Sequence, residues 1–239
     1  MNRARTVLAV LTLEAAFLAG CDRLPGRPKP GSVDIRPDRV KDFARLYADN
    51  CTACHGPDGK GGAGAIGLAN PVYLAIADDA AIRAATAKGV RGTMMPAFVQ
   101  SAGGMLTDEQ VEILVKGIRA WSRPDALGGA SPPPYAGDGG DATRGLTVYT
   151  AFCAACHGAG GTGGPKAGSI VDGSFLGLVS NQGLRTTVIA GRPDIGQPDW
   201  KSDVAGRALT AQDVSDVVAW LAAQRPATPG QPYPGGTHD

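Results

Sequence analysis

The pentapeptide Cys51-Thr52-Ala53-Cys54-His55 returns 102 residues later as Cys153-Ala154-Ala155-Cys156-His157. Two thiols at i and i+3 lie on one face of a helical turn, and the histidine follows at once. That spacing lets both sulfurs form thioethers to the vinyl groups of one porphyrin while the imidazole reaches its iron from below. Each pentapeptide therefore reads as a c-type haem attachment site, with His55 and His157 as proximal iron ligands.

Two other chemistries use the same residue types. A redox dithiol is also Cys-x-x-Cys, but in a βαβ setting, and the surroundings here are Gly-rich loop and helix. A zinc site needs four ligands, usually completed by a second Cys or His pair nearby. Each motif stands alone in its half of the chain, which leaves only a zinc shared between halves. Of five cysteines, four sit in the motifs and the fifth is Cys21, so no thiol remains for a structural disulfide. Beyond the two motif histidines the chain has only His238, in a polar C-terminal stretch, which reads as a solvated tail residue.

The elements that must position these groups are also written twice. At the offset of 102, Tyr47 matches Tyr149, Gly89 matches Gly191, Pro96 matches Pro198, and Phe98 falls on Trp200. An offset of 103 then aligns Leu106-Thr107 with Leu209-Thr210 and Val111 with Val214. A repeat on this scale is one domain duplicated. Each copy is expected to hold three main helices: about 38–50, 79–88 and 107–121 in the first, and 143–155, 183–190 and 210–225 in the second. Thr107 with Gln110, and Thr210 with Asp213, are N-caps with capping-box partners.

Residues 123–140 hold Pro124, Gly128, Gly129, Pro132, Pro133 and Pro134, a linker composition. They divide a first domain, 37–122, from a second, 141–225, and the Pro/Gly-rich 226–239 is expected to be a disordered tail. Net charge is +1, so no basic field invites nucleic acid. Aromatic residues are only 5% of the chain, which predicts thin cores that a large buried porphyrin would fill.

The pattern over about residues 37–225 resembles the class I cytochrome c family, in particular its tandem two-domain dihaem members. The resemblance implies an all-α fold in which an N-terminal helix crosses a C-terminal helix and a Met-Pro loop supplies the sixth iron ligand. That loop is here Gly92-Thr93-Met94-Met95-Pro96-Ala97-Phe98, with Met95 at the family's Met-Pro position and Met94 as a loop residue. At the helix crossing the second copy has Gly145, where the family usually has glycine, facing Trp220. The first copy has Phe43 facing Gly117. Large and small have traded places, with Trp121 one turn later as a further participant, so either arrangement fills the same volume.

Residues 1–20 look like an export signal: basic Asn2-Arg3-Ala4-Arg5, then an apolar run from Val7 to Ala19 interrupted by Glu14. The run is short for a transmembrane helix. Leu18-Ala19-Gly20-Cys21 resembles a bacterial lipoprotein box, which would make Cys21 a lipid anchor and 21–36 a Pro-rich tether. Asp22 is a residue associated with retention at the inner membrane. The expected location is the periplasmic face of the bacterial cytoplasmic membrane.

The two copies part at one position. Carried forward by 102, Met95 becomes Gln197, and no methionine follows Met105. Gln197 binds the second iron through its amide oxygen, or water or nothing binds there, or a distant group such as His238 swings in; the sequence favours a weak or absent sixth ligand beneath Gln197. The leading functional reading is a tethered dihaem carrier of single electrons between periplasmic redox proteins or membrane complexes. A peroxidase-like enzyme or small-ligand binder at the second haem is the alternative. A gas sensor or haem store has no residue that specifically supports it.

Overall fold

A computed structural model describes residues 35–62, 65–90, 93–202 and 205–227. The export segment, Cys21, most of the tether and His238 lie outside them. From Val40 onward the described residues form one compact unit, and the described residues 35–39 belong to another.

Local sequence explains where each helix starts and stops. In the first copy α1 covers Phe43–Asn50 because the Asp42 carboxylate accepts from Arg45 N at 2.8 Å and caps it there. The expected start near Asp38 is instead a separate 3₁₀ turn, Pro37–Arg39. The helix stops at Cys51 (φ −119°, ψ −32°), and a single turn α2, Thr52–His55, resumes beyond it. A short helix α3, Pro71–Ile76, follows, capped by Asn70. α4 is Asp79–Lys88, as the sequence predicts, and α5 is Asp108–Arg119 with the Thr107–Gln110 capping box formed.

The second copy repeats this order. α6 is Ala142–Phe152, α7 Ala154–His157, α8 Gly173–Leu178, α9 Asn181–Ala190 and α10 Ala211–Ala223, the last with its Thr210–Asp213 capping box. Among the described residues there is no strand, only isolated bridges such as Val99 with Leu106, so the fold is all-α.

The traded residues do meet. A Cβ added at Gly117 of α5 would stand 2.0 Å from the Phe43 ring of α1. One added at Gly145 of α6 would stand 2.1 Å from the Asp216 carbonyl oxygen and 2.6 Å from Trp220 Cβ on α10. The tryptophans then do equivalent work from positions one turn apart. Trp121 meets Tyr47 edge-on at 5.0 Å between ring centres and lies over Gly59, while Trp220 stacks on Tyr149 at 4.3 Å and lies near Gly161. Asp216, 3% exposed, accepts from Arg144, Gln212 and the Asp141 amide. Chiefly the Arg144 hydrogen bond, against the cost of burial, holds its carboxyl down at about 2.

A second pair of clamps escapes the sequence alignment. Arg119, at the end of α5, donates to the Leu74 and Ala77 carbonyls that terminate α3. Arg225, beyond α10, donates to Leu176 and Val179 in the same places at the end of α8. The linker is fastened too. Buried Arg185 of α9 donates to the Pro134 and Tyr135 carbonyls, and Lys201 Nζ donates to Leu127 O at 2.9 Å. The copies touch where α3 lies against α9.

The two glycines should respond differently to a methyl group. Alanine gains about 1 kcal/mol of helix propensity over glycine, and overpacking costs roughly 1–3 kcal/mol. At Gly117 the obstacle is a side-chain ring, packed against Tyr47 and Trp121, so Gly117→Ala should cost less than the same change at Gly145. At Gly145 the obstacle is backbone, so Gly145→Ala should destabilise by about 2 kcal/mol net. Denaturant unfolding followed by circular dichroism reads both, and the reverse order would contradict this account of the crossings.

Candidate haem sites

Each attachment turn is built by three backbone hydrogen bonds. Cys54 N and His55 N donate to Cys51 O at 3.2 and 2.9 Å, and Gly56 N to Thr52 O at 2.9 Å. In the second copy the matching distances are 3.1, 3.0 and 2.9 Å. The two cysteines and the histidine thus share one turn in both copies. Among the described residues all four motif thiols are free of disulfides.

The histidine is oriented by its other nitrogen. His55 Nδ1 lies 2.8 Å from Ile66 O, and His157 Nδ1 lies 2.9 Å from Gly168 O. A carbonyl oxygen only accepts, so Nδ1 carries the proton in each case and Nε2 keeps its lone pair for a metal. The loop between ligand and carbonyl is pinned in turn. Gly61 N and Gly163 N donate to the histidines' own carbonyls at 2.8 and 2.9 Å. The buried Tyr47 hydroxyl donates to Gly56 O at 2.9 Å, as Tyr149 does to Gly158 O at 2.5 Å.

Gly56 (φ 73°, ψ 165°) and Gly158 (φ 77°, ψ 171°) occupy a region open essentially to glycine alone. A Cβ at either would sit 2.1 Å from the carbonyl oxygen of Gly61 or Gly163. The chain can therefore reverse immediately after the ligand only with glycine there.

Electrostatics separate the three chemistries that the motif allows. Burial, then the neighbouring thiol, pushes Cys51 and Cys153 up to about 11. A redox dithiol needs a lowered thiol pKa, and its βαβ setting is missing among the described residues, which hold no strand. Among those residues, too, no three His, Cys, Asp or Glu side chains gather to hold a metal ion. Burial pushes His55 down; the Ile66 carbonyl opposes this and the Arg192 guanidinium adds to it. A neutral imidazole is the form that binds iron. Paired thiols on one turn and a histidine oriented through its Nδ1, present twice, fit a covalently held haem.

The loops carrying Met95 and Gln197 also match in backbone. Val90 N donates to Met95 O at 3.0 Å, and Arg192 N to Gln197 O at 3.0 Å. Met94 is 65% exposed whereas Met95 is half-buried. Gln197, also half-buried, turns its amide nitrogen onto Thr187 O at 3.2 Å. Trp200 Nε1 is a buried donor without a hydrogen-bond partner.

Several supports were invisible as chemistry in the sequence. The tyrosines align and a glycine follows each histidine, signals that were present but unassigned. The accepting carbonyls of Ile66 and Gly168 leave no signal, because every residue has one.

The family of cytochrome c oxidase, cbb3-type, subunit III matches residues 38–116, and the cytochrome c family matches 142–224. The chain is 34% identical to the cbb3-type cytochrome c oxidase subunit CcoP of Azospirillum, over 53% of this chain and 41% of that protein. It is 30% identical to subunit FixP of Azorhizobium caulinodans (64% and 50%) and 26% identical to CcoP of Cereibacter sphaeroides (74% and 58%). It spans about half the length of these curated relatives. Each half is a cytochrome c domain. The chain as a whole is a tandem dihaem cytochrome c, with two covalently bound haem c groups.

Haem-stained denaturing gels should show Cys51→Ala/Cys54→Ala and Cys153→Ala/Cys156→Ala each keeping half of the wild-type signal. A wild-type chain carrying one haem or none would overturn the two-site account.

Proposed function

We propose that this protein is a membrane-tethered carrier of single electrons, working between periplasmic redox proteins and a membrane oxidase or allied complex. The observation that carries the reading is a proximal site built twice with the same turn, histidine–carbonyl bond and tyrosine anchor, with Met95 and Gln197 at the matching position of the two opposing loops. Haem c, when bound, supplies a one-electron ferrous/ferric couple. Cys51, Cys54, Cys153 and Cys156 hold it, and His55 and His157 present Nε2 to it. The relatives named as subunits of a cbb3-type oxidase support an oxidase complex as the partner.

Met95 is the sixth ligand we assign to the first haem. A thioether sulfur favours ferrous iron and raises the potential. At the second haem Gln197 offers a harder amide oxygen, or leaves the place weakly held. Its amide nitrogen is engaged by Thr187 O, which supports the oxygen as the atom on offer. The second reading, peroxidase-like or ligand-binding chemistry, rests on that missing methionine. Against it, the Gln197 loop offers a single ion pair, Arg192 with Asp194, and no histidine as acid or base.

We assign the anchor to lipid on Cys21 and the location to the periplasmic face. Among the described residues no helix is long and apolar enough to cross a membrane. Cys21→Ser should release the protein from membranes or leave it unprocessed, and a mature N-terminus elsewhere would refute the lipid anchor.

A redox titration of the holoprotein should show two waves, the higher belonging to the first haem. Gln197→Met should raise the lower wave, and Met95→Gln should lower the upper one. Equal potentials in wild type would contradict this ligand assignment, and sustained turnover with peroxide would contradict the carrier reading.

A further inference from the structure

The loop that presents Gln197 to the second haem also closes over the first domain. Asp194 lies against Gly61, where an added Cβ would stand 3.1 Å from its carboxyl carbon. Gly61 N is itself hydrogen-bonded to His55 O at 2.8 Å, so Asp194 sits one backbone link from the first haem's proximal ligand. Arg192 grips both Asp194 oxygens, through Nε at 2.8 Å and Nη2 at 2.6 Å. This is a two-pronged, charge-assisted pair. The Arg192 side chain is only 9% exposed and that of Asp194 19%.

The other end of the same proximal loop is tied to the same segment. Asn70 uses its oxygen to cap α3, accepting from Val72 N and Tyr73 N. Its amide nitrogen donates across the domain boundary to Ala190 O at 2.9 Å, two residues before Arg192. Gly61 and Asn70 of the first domain thus both lie against residues 190–194 of the second.

We propose that Arg192 and Asp194, supplied by the second domain, are positioning residues that set the potential of the first haem. Oxidation adds one positive charge at the iron. In a partly dehydrated interior a nearby cation opposes that charge and a nearby carboxylate favours it. The pair holds the two influences in balance beside His55.

The opposite signs make the test selective. Arg192→Gln leaves the carboxylate alone and should shift the first haem's wave down. Asp194→Asn leaves the guanidinium alone and should shift it up. Arg192→Lys, which keeps the charge, should restore most of the wild-type value. A purely structural clasp would move the wave the same way in both neutralised variants. Because a buried charge without its partner can prevent folding, the double variant Arg192→Gln/Asp194→Asn serves as a further arm. It replaces both charges with neutral amides and should return the wave to its wild-type position.

The proposal rests on the two-haem reading above, and the failures differ. A single wave in wild type overturns that reading. Two waves, with the upper unmoved by either substitution or moved in one direction by both, overturn this one. A double variant shifted as far as either single also overturns it.

Discussion

The hydrogen bond from each proximal histidine to a backbone carbonyl, Ile66 O in one domain and Gly168 O in the other, is the constraint from which the site geometry follows. It fixes the tautomer, and so decides which nitrogen can reach iron. To bring that carbonyl back over the ring the chain must turn sharply directly after the ligand, which demands Gly56 and Gly158. The loop so formed needs anchoring from the helix before it, and the tyrosine hydroxyls provide it. Each tyrosine is in turn packed by a tryptophan, Trp121 just beyond α5 and Trp220 within α10, so the helix crossing and the histidine loop are parts of one chain of contacts.

Duplication left the proximal half of each site nearly unchanged while its surroundings diverged. The tryptophan that covers the loop comes from Trp121 in one domain and from Trp220 in the other. The glycine of the crossing lies on the last helix of the first domain and on the first helix of the second. What is held constant is the position of a ring over the loop, not the residue that carries it. The distal loops diverged in a different sense. Their backbones agree, but Met95 and Gln197 offer different atoms, and the second loop has a further role at the boundary between the domains.

The sequence displayed the two motifs, the repeat and the capping boxes, because each depends on residue identity at fixed spacing. The exchange at Phe43 and Gly117 was legible for the same reason. The short helices α3 and α8 were not, since six residues give too little periodicity to separate them from loop. Arg119 and Arg225 were missed because at the offset of 103 Arg119 falls on Ala222, three residues before Arg225, so a constant offset does not bring them together. The fastening of a Pro/Gly-rich linker by Arg185 could not be read either. Composition reports how a segment behaves alone, and the carbonyls that Arg185 grips are common to any sequence.

The central claim is that one backbone design holds two haems whose distal ligands differ. It is tested most directly by near-infrared magnetic circular dichroism of the fully oxidised holoprotein, set against the haem content of the same sample. The account predicts a sulfur-to-iron charge-transfer band with the intensity of one haem per two bound. A band accounting for both haems would contradict it.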